Sequence, residues 1–481
     1  MKNRNSIFTV LLCICACSNA YAEKKRPNVI LINTDDLAWG DLSCYGGKLI
    51  NTPNIDRLAT EGIRFTDGYA SAPVSGPSRM GLITGVHQQR YGIQWNHDMW
   101  KIPGGNRETV IQSNDKQIQT AFKDAGYITA IAGKIGFIDA QPFDHKFSYA
   151  YNGVNYFPDE NGYYAGIESE NGDNKSKTNR NNMWGPERDG DEYLTDRCGR
   201  ECLEFIKKNK DNVKPFFFYL SFNAPHSPFH AKKSDRIRVK HIKSEMAKLY
   251  AAMVLAVDDN IGKILDYLDK ENLRKNTIIV LLSDNGPANP IHLRIPSSYW
   301  DKNSPYHVIG QRGGLNGYKG TMWEAGIRIP YIISWKGELP EGETYSNPVS
   351  TLDIYPTLCA ATHTKIPDDK KLDGTNLMPY LKGGNYDAPH KFLFWYANRM
   401  GAVRMGNWKM LIEDDKHYLF NLAEDMGETR NVMKQNPDIM RKMLEAYFEF
   451  RNEMPTYRNP YLRPIDIPDS TVVGLPVLDP K

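Results

Sequence analysis

Short runs of apolar residues recur along the chain and alternate with stretches that carry apolar residues at helical spacing. Five such runs lie at residues 28–33, 128–132, 216–222, 277–282 and 329–334. Because these runs are continuous rather than alternating, they are typical of strands buried on both faces of a parallel sheet covered by helices. Between the third and fourth runs, residues 241–273 have an apolar residue every three or four positions, which predicts a crossover helix. The pattern therefore predicts an α/β fold.

Two later regions depart from this pattern. Residues 150–192 are rich in Asn, Gly, Asp and Tyr and poor in aliphatic side chains, which predicts a long ordered loop insertion of the kind that often carries specificity. After residue 385, four short strand-like segments precede a helical segment at 437–452. We therefore divide the mature chain into a main domain at 23–384 and a smaller C-terminal subdomain at 385–481.

The first 22 residues have the pattern of an export signal. Lys2 and Arg4 precede an apolar stretch at 7–16, and Ala20-Tyr21-Ala22 suits a cleavage site. An alternative is a lipoprotein signal, since the tetrapeptide Ile-Cys-Ala-Cys that ends at Cys17 resembles a bacterial lipobox. No apolar run is long enough for a membrane helix. We predict an exported protein without a membrane span, either soluble or lipid-tethered.

Composition narrows the class of protein. The chain has 481 residues, 41% of them hydrophobic, and a formal net charge of +3, so nothing indicates a basic face that binds nucleic acid. Three of the seven cysteines lie in the N-terminal signal, and the other four are too scattered for a disulfide scaffold. Cys198 and Cys202 share a helix face without a matching His or Cys cluster, so burial is favoured over zinc binding.

Residues 75–85, Ser-Gly-Pro-Ser-Arg-Met-Gly-Leu-Ile-Thr-Gly, are the most specific stretch of the sequence. Ser75 suits a helix cap, Pro77 a first turn and Gly85 a helix end. A helix N-terminus attracts anions, and Arg79 adds a charge one turn in. Alone, the stretch would also fit a capped helix without a function.

Polar residues follow four of the predicted strands or lie in a glycine-rich segment. Carboxylate and amide oxygens at the carboxyl ends of strands can converge on one hard cation. The acidic and amide residues of this kind are Asp35, Asp36, Asp284 and Asn285, and the basic ones are Lys134, His226 and, in the glycine-rich segment, Lys319.

Together these segments resemble the type I sulfatases, the formylglycine-dependent members of the alkaline-phosphatase-like superfamily. Residues 75–85 are similar to the motif Cys/Ser-x-Pro-Ser-Arg-x-x-x-Leu-Thr-Gly, with Ile83 where Leu is usual. The resemblance covers nearly the whole mature chain. It implies a large mixed sheet flanked by helices and a smaller C-terminal α+β domain that carries an antiparallel sheet, with the main domain as the catalytic one.

The resemblance also implies a chemistry. Ser75 would be oxidised to formylglycine, whose hydrate attacks sulfur, because an unmodified serine is a weak nucleophile without an adjacent base. A serine at this position implies a radical maturation enzyme of bacteria and, with the export signal, a location in the periplasm or lipid-anchored at the cell surface of a bacterium. The implied cofactor is Ca²⁺, with Mg²⁺ as the alternative and zinc disfavoured by oxygen-only ligation.

The resemblance assigns roles to individual residues. Glu324 and Arg328 are assigned to structure rather than to catalysis. The implied metal ligands are Asp35, Asp36, Ser75, Asp284 and Asn285, and the implied catalytic residues are Ser75, Arg79, Lys134, His226 and Lys319. Sugar contacts are expected from Trp95, His97 and Trp184, which lie near or within polar, aromatic-rich segments.

One segment departs from the family pattern. The family usually has Gly-Lys-Trp-His-Leu-Gly, whereas residues 133–137 are Gly-Lys-Ile-Gly-Phe, so the histidine that would deprotonate the aldehyde hydrate is missing. Either His145, His87 or Lys134 replaces it, or the turnover step proceeds differently.

The sequence thus predicts an exo-acting sulfatase that releases inorganic sulfate from a sulfated carbohydrate. A phosphatase or phosphodiesterase of the same superfamily is the nearest alternative, although no histidine near Asp284 suits its two-zinc site. A non-catalytic sulfoglycan-binding protein is the alternative from another class.

Overall fold

The computed structural model describes residues 25–96, 98, 117–134, 143–150, 192–227, 229–289, 309–385, 387–414 and 416–454. The predicted export signal, nearly all of the predicted insertion at 150–192, and two expected sugar contacts, His97 and Trp184, lie outside these residues.

A mixed eight-stranded sheet forms the centre of the described part. Its strands are β1 (Asn28–Thr34), β2 (Ile63–Phe65), β4 (Ile128–Lys134), β5 (His145–Ala150), β6 (Phe216–Ser221), β7 (Thr277–Ser283), β8 (Tyr331–Ser334) and β9 (Glu343–Tyr345). They lie in the order β5-β4-β6-β1-β7-β8-β2-β9. Each of the five predicted strands is present, but β8 runs antiparallel to β7. The fifth apolar run therefore makes the sheet mixed, because a run buried on both faces carries no signal for strand direction.

Helices cover both faces of this sheet. They are α1 (Pro53–Thr60), α2 (Ser75–Thr84), α3 (Ile118–Asp124), α4 (Leu194–Asn209), α5 (Lys233–Arg238), α6 (Glu245–Lys270), α7 (Glu324–Ile327), α8 (Ile354–Ala361), α9 (Met378–Leu381) and α10 (Pro437–Asn452). Successive strand side chains point to opposite faces, so Ile30 joins one core, with α6, and Leu31 the other, with α2. The predicted crossover helix is α6, and the Ser244 side chain accepts a hydrogen bond from the Ala247 amide at its start.

The C-terminal region is an antiparallel meander of β11 (Leu393–Ala397), β12 (Met400–Met405), β13 (Trp408–Glu413) and β14 (Lys416–Asn421). Helix α10 packs on one face, where Met443 and Tyr447 meet Val403. The other face packs against the main body, where Trp395 lies with Tyr69 in one core. A two-stranded pair, β3 (Gly68–Tyr69) with β10 (Val349–Ser350), lies beside this contact. The predicted C-terminal antiparallel sheet is confirmed.

Two further expectations concern cysteines and membrane spans. Cys198 and Cys202 are fully buried in the core under α4 and form no disulfide, as expected of core residues. Across the described ranges, no helix is both long enough and apolar enough to cross a membrane.

Candidate active site

The two acidic segments meet at the carboxyl edge of the sheet. Strands β1 and β7 are parallel neighbours, with Thr34 opposite Ser283, so the residues that follow them emerge side by side. The Asp36 amide donates to Asp284 Oδ1 at 3.2 Å. Asp36 has φ +64°, a left-handed conformation that Asp tolerates better than most residues. Strand pairing thus assembles both acidic segments into one cluster.

Ser75 lies at the start of α2 and faces this cluster. Its Oγ is 3.2 Å from Asp35 Oδ1 and 3.1 Å from Asn285 Oδ1. The expectation that Ser75 caps the helix is wrong, because Ser75 is already the first helical residue and Val74 occupies the cap position without a side-chain bond. The expected stop at Gly85 is confirmed: φ is +67° and its amide donates to the Gly81 carbonyl. The Ser75 hydroxyl is therefore directed at the acidic residues rather than at its own helix.

Three cations balance the carboxylates. Arg79 is completely buried, and its Nε donates to Asp284 Oδ2 at 2.8 Å. Lys134 is buried at the end of β4, with Nζ 2.5 Å from Asp35 Oδ2. The Lys319 side chain is 15% exposed, and its Nζ donates to Asp36 Oδ1 at 2.7 Å. The cluster is thus closed toward the core and open at Lys319.

Gly133 explains how Lys134 reaches Asp35. The pairing of β4 with β5 shifts register after Ala132, and Gly133 has φ +95°. A Cβ on Gly133 would lie 1.8 Å from the Ser221 carbonyl oxygen of β6. Only glycine permits both this conformation and this approach.

His226 lies in the turn that follows β6. Its Nδ1 is 2.6 Å from the Ser227 carbonyl oxygen, which can only accept, so Nδ1 carries the proton. Nε2 lies 3.7 Å from Asp36 Oδ2. Burial lowers the pKa of His226 more than the neighbouring Asp35 raises it. The imidazole is therefore held neutral, with Nε2 turned toward the acidic cluster.

The carboxyl groups have divergent acidities. Burial raises the pKa of Asp35, but Lys134, His226 and Arg79 outweigh burial and hold it well below the ordinary value. Burial and the adjacent Asp35 raise the pKa of Asp284 to about 6, although Arg79 opposes them. Perturbed pKa values are typical of functional sites, although structural ion-pair networks produce them too.

These residues fit a hard divalent cation. Asp35, Asp36 and His226 each offer a ligand atom, and these atoms lie within 4.8 Å of one another. Asp284 and Asn285 add oxygens beside them. A set dominated by carboxylate and amide oxygens suits Ca²⁺ or Mg²⁺ better than zinc.

Neither histidine proposed as a replacement base lies at the site. His145 begins β5 and pairs with Ala130 of β4. Ala130 is four residues before Lys134, a distance of about 13 Å along the strand. His87 follows the far end of α2 and packs on Phe450 at 4.8 Å between ring centroids, about 15 Å from Ser75 along the helix. The hypothesis that either histidine substitutes is therefore wrong.

Of the expected sugar contacts, the structure describes Trp95. Its indole ring lies beside Gly320, the residue after Lys319: a Cβ added there would meet the ring at 3.6 Å. Its backbone amide donates to Asp98 Oδ2 at 2.7 Å.

Three residues at the site were missed by sequence reasoning. Ser221 Oγ bridges Arg79 and the Lys134 carbonyl, Tyr250 donates to the Asp36 carbonyl, and Asn96 accepts from the Gly76 amide. A serine closing an otherwise apolar strand was the available signal for Ser221. Tyr250 fits the apolar face of α6, so its sequence position gives no polar signal.

Comparisons with known proteins agree on one family. The sequence model of the family described as Sulfatase matches residues 27–364. An N-acetylgalactosamine-6-O-sulfatase of Bacteroides thetaiotaomicron is 29% identical over 88% of this chain and 92% of that relative. The mouse N-acetylgalactosamine-6-sulfatase is 30% identical over 80% of this chain and 71% of that relative.

Solved structures extend the likeness to the fold. The crystal structure of Ps i-CgsB in complex with k-i-k-neocarrahexaose has a TM-score of 0.74 and 31% identity, covering 90% of this chain and 94% of that one. A phosphonate monoester hydrolase of Agrobacterium radiobacter has a TM-score of 0.62 at 18% identity, which shows a shared fold alone.

Proposed function

The chain belongs to the sulfatase family, with the alkaline-phosphatase-like fold, and we propose that it removes sulfate from a carbohydrate through a formylglycine formed from Ser75. Sulfuric ester hydrolysis is the activity for which its relatives are named. One observation carries the proposal: Ser75 Oγ lies within 3.2 Å of both Asp35 and Asn285 at the start of a helix. A nucleophile at this position would share the acidic cluster with a bound cation.

We assign Ca²⁺ to Asp35, Asp36, Asp284 and Asn285, together with the modified side chain of residue 75. Bound there, the cation would polarise the nucleophile and a sulfate oxygen. Support comes from the oxygen donors and from the acidity of Asp35, which keeps that carboxylate ionised. Because the cation would compete for the same carboxylate oxygens, it would loosen the hold of Asp35 and Asp36 on the two lysines.

The two lysines, once displaced from Asp35 and Asp36, would bind the sulfate group. Lys134 and Lys319 each contact a different carboxylate of the cluster. Arg79 stays paired with Asp284 and orients it. His226, with its proton on Nδ1 fixed on Ser227, presents an unprotonated Nε2, which would accept a proton from the attacking hydroxyl and then pass it to the leaving oxygen. Two lysines and a histidine thus surround the position of the ester.

The carbohydrate substrate is proposed from the relatives. One relative is named for N-acetylgalactosamine 6-sulfate, and one neighbour was solved with a carrageenan oligosaccharide. Lys319 and His226 are only 15% and 11% exposed, so the site is recessed, which favours a chain end over a chain interior. Trp95, His97 and Trp184 remain the proposed sugar contacts.

Maturation and location follow from the same proposal. A radical maturation enzyme would convert Ser75. The N-terminal segment would direct export of the chain, which would then be either cleaved after residue 22 or lipid-anchored at Cys17. The catalytic domain would span 23–384 and the C-terminal subdomain 385–481.

The decisive experiment is mass spectrometry of the peptide that contains Ser75, after coexpression with a radical maturation enzyme. We expect the loss of two hydrogens at Ser75. The converted protein should release sulfate from a 6-sulfated N-acetylgalactosamine or a carrageenan oligosaccharide, and Ser75→Ala should not. Faster release of phosphate from a matched phosphate ester would instead indicate a phosphatase, and tight binding without turnover a sulfoglycan-binding protein.

A further inference from the structure

We propose that Asn96 is a positioning residue that fixes the peptide between Ser75 and Gly76 and so aims the nucleophile. The inference rests on the proposed function. Its structural basis is one contact: Asn96 Oδ1 accepts the hydrogen bond of the Gly76 amide at 2.9 Å. No catalytic or metal-binding role is involved.

The Gly76 amide needs an external partner. The first amides of an α-helix have no carbonyl within the helix to bond. Pro77 has no N–H, and the Ser78 amide already bonds the Val74 carbonyl at 3.1 Å. Gly76 itself is buried, so an unpaired amide there would carry a full desolvation cost.

Gly76 also allows the peptide between residues 75 and 76 to rotate more freely than another residue would. Gly76 has no Cβ to restrict its backbone, and it directly follows the residue whose side chain reacts. Rotation of the 75–76 peptide would swing the side chain of residue 75 away from Asp35 and Asn285. A displacement of about 1 Å at a reacting group can cost on the order of a hundredfold in rate.

Asn96 is itself held in place. Asp98 Oδ2 accepts from the amides of Gln94 and Trp95 at 2.9 and 2.7 Å, which closes a tight turn around it. Gln94 Oε1 accepts from the Asn398 amide in the turn between β11 and β12. Gln94 and Asn96 therefore connect the C-terminal sheet with the nucleophile helix, and Asn96 makes the contact with Gly76.

The test compares Asn96→Leu with Asn376→Leu, a matched control. Asn376 is also half-buried, and its Oδ1 accepts from the Met378 amide at 3.0 Å at the start of α9, away from the site. With Ser75 fully converted in every variant, we expect Asn96→Leu to lower kcat on a small aryl sulfate at least about tenfold and leave KM within about twofold. Asn376→Leu should leave both unchanged.

Amide hydrogen exchange gives a readout that does not depend on turnover. Exchange at Gly76 should quicken at least about tenfold in Asn96→Leu. It should stay slow in Asn96→Asp, which keeps an acceptor oxygen. Unchanged Gly76 exchange in Asn96→Leu would overturn the inference, as would unchanged kcat in an active enzyme. An inactive wild type would instead refute the proposed function, and the exchange result would still decide the contact.

Discussion

Two buried charge clusters contain the same numbers of carboxylates and cations but differ in how these charges are arranged. The site cluster contains Asp35, Asp36, Asp284, Arg79, Lys134 and Lys319. The interface cluster, between the main body and the C-terminal sheet, contains Asp67, Glu324, Glu428, Arg328, Arg404 and Lys409. Each has three carboxylates and three cations, so composition alone does not distinguish a structural cluster from a functional one.

In the interface cluster every charged side chain contacts more than one partner. Lys409 Nζ forms ion pairs with Glu324 at 2.9 Å and Glu428 at 2.7 Å, and all three side chains are fully buried. Arg328 and Arg404 share the two oxygens of Asp67 and also donate to backbone carbonyls. Such a network leaves no group to receive a ligand.

In the site cluster different donors crowd the same carboxylate oxygens. Asp35 Oδ2 receives both Lys134 and Arg79, and Asp36 Oδ1 receives both Lys319 and Asn285. A divalent cation that displaced the lysines would leave excess positive charge beside the nucleophile, which is what an anionic sulfate ester requires. Shared oxygens occur in the interface cluster too, where Glu324 Oε2 receives both Tyr69 and Arg328, so the partly exposed Lys319 is what distinguishes the site cluster.

Replacing one carboxylate by an amide in each cluster should give the largest difference between them, in activity and in stabilisation by calcium. Asp36→Asn removes a proposed cation ligand, so we expect sulfatase activity to fall by about four orders of magnitude, roughly 5 kcal/mol of transition-state stabilisation. The stabilisation that added calcium gives the wild type should also disappear, because it depends on binding. Steady-state kinetics and thermal unfolding with and without calcium measure both effects.

Glu428→Gln is the matched control in the interface cluster. It should keep the activity and the calcium-dependent rise in melting temperature, since Glu428 lies away from the nucleophile. Calcium that still stabilised Asp36→Asn fully would contradict the assignment of the cation to the site cluster.

A lysine-to-methionine pair should reverse the ranking for stability. Lys409→Met leaves Glu428 buried without its cation and Glu324 with Arg328 alone, so we expect a loss of about 3–5 kcal/mol in the free energy of unfolding. Lys319→Met removes a partly exposed cation and should cost about 1 kcal/mol or less, although it should damage turnover. Urea unfolding in calcium-free buffer measures both losses. Equal losses would show that the different burial of the two lysines does not affect stability.

Much of this arrangement followed from the sequence, and the exceptions have physical causes. Continuous apolar runs predicted the strands, and the polar residues that end them predicted the site cluster, because parallel strands bring their carboxyl ends together. The antiparallel direction of β8 was missed and the cap role expected of Ser75 was wrong, since each depends on tertiary contacts rather than on local pattern. The interface cluster was missed as a cluster, because its members are distant in sequence and meet only when the C-terminal sheet docks.

The interface cluster also predicts a pH dependence. Burial and Glu324 raise the pKa of Glu428 to about 7, whereas Lys409, Arg328 and Arg404 overcome burial and lower the pKa of Glu324 to about 2. Between the unfolded value of 4.5 and about 7, the folded chain keeps a proton on Glu428 that the unfolded chain loses, so stability falls as pH rises. Below 4.5 the sign reverses, because Glu324 protonates first in the unfolded chain.

Glu428→Gln should therefore flatten the loss of stability between about pH 4.5 and pH 7. Asp284 of the site cluster contributes with the same sign, so the wild-type curve contains both effects and the difference between the two proteins isolates Glu428. Urea unfolding across this range measures the difference. Parallel curves for wild type and variant would show that Glu428 is ionised throughout.

The smallest expected effect sharpens the comparison by removing one hydroxyl from each cluster. Tyr250 Oη lies 3.1 Å from the Asp36 carbonyl and 2.5 Å from Asp41, so it supports the left-handed turn that presents Asp36. Tyr69 Oη donates to Glu324 at 2.9 Å in the interface cluster. Each bond should contribute about 1 kcal/mol to the free energy of unfolding, so Tyr250→Phe and Tyr69→Phe should lose similar stability without calcium. Only Tyr250→Phe should also weaken calcium binding, by roughly fivefold in Kd, because only it changes how a cation ligand is held. Calorimetric titration with calcium distinguishes them, and equal Kd values for both variants would mean that Asp36 is held by its strand neighbours alone.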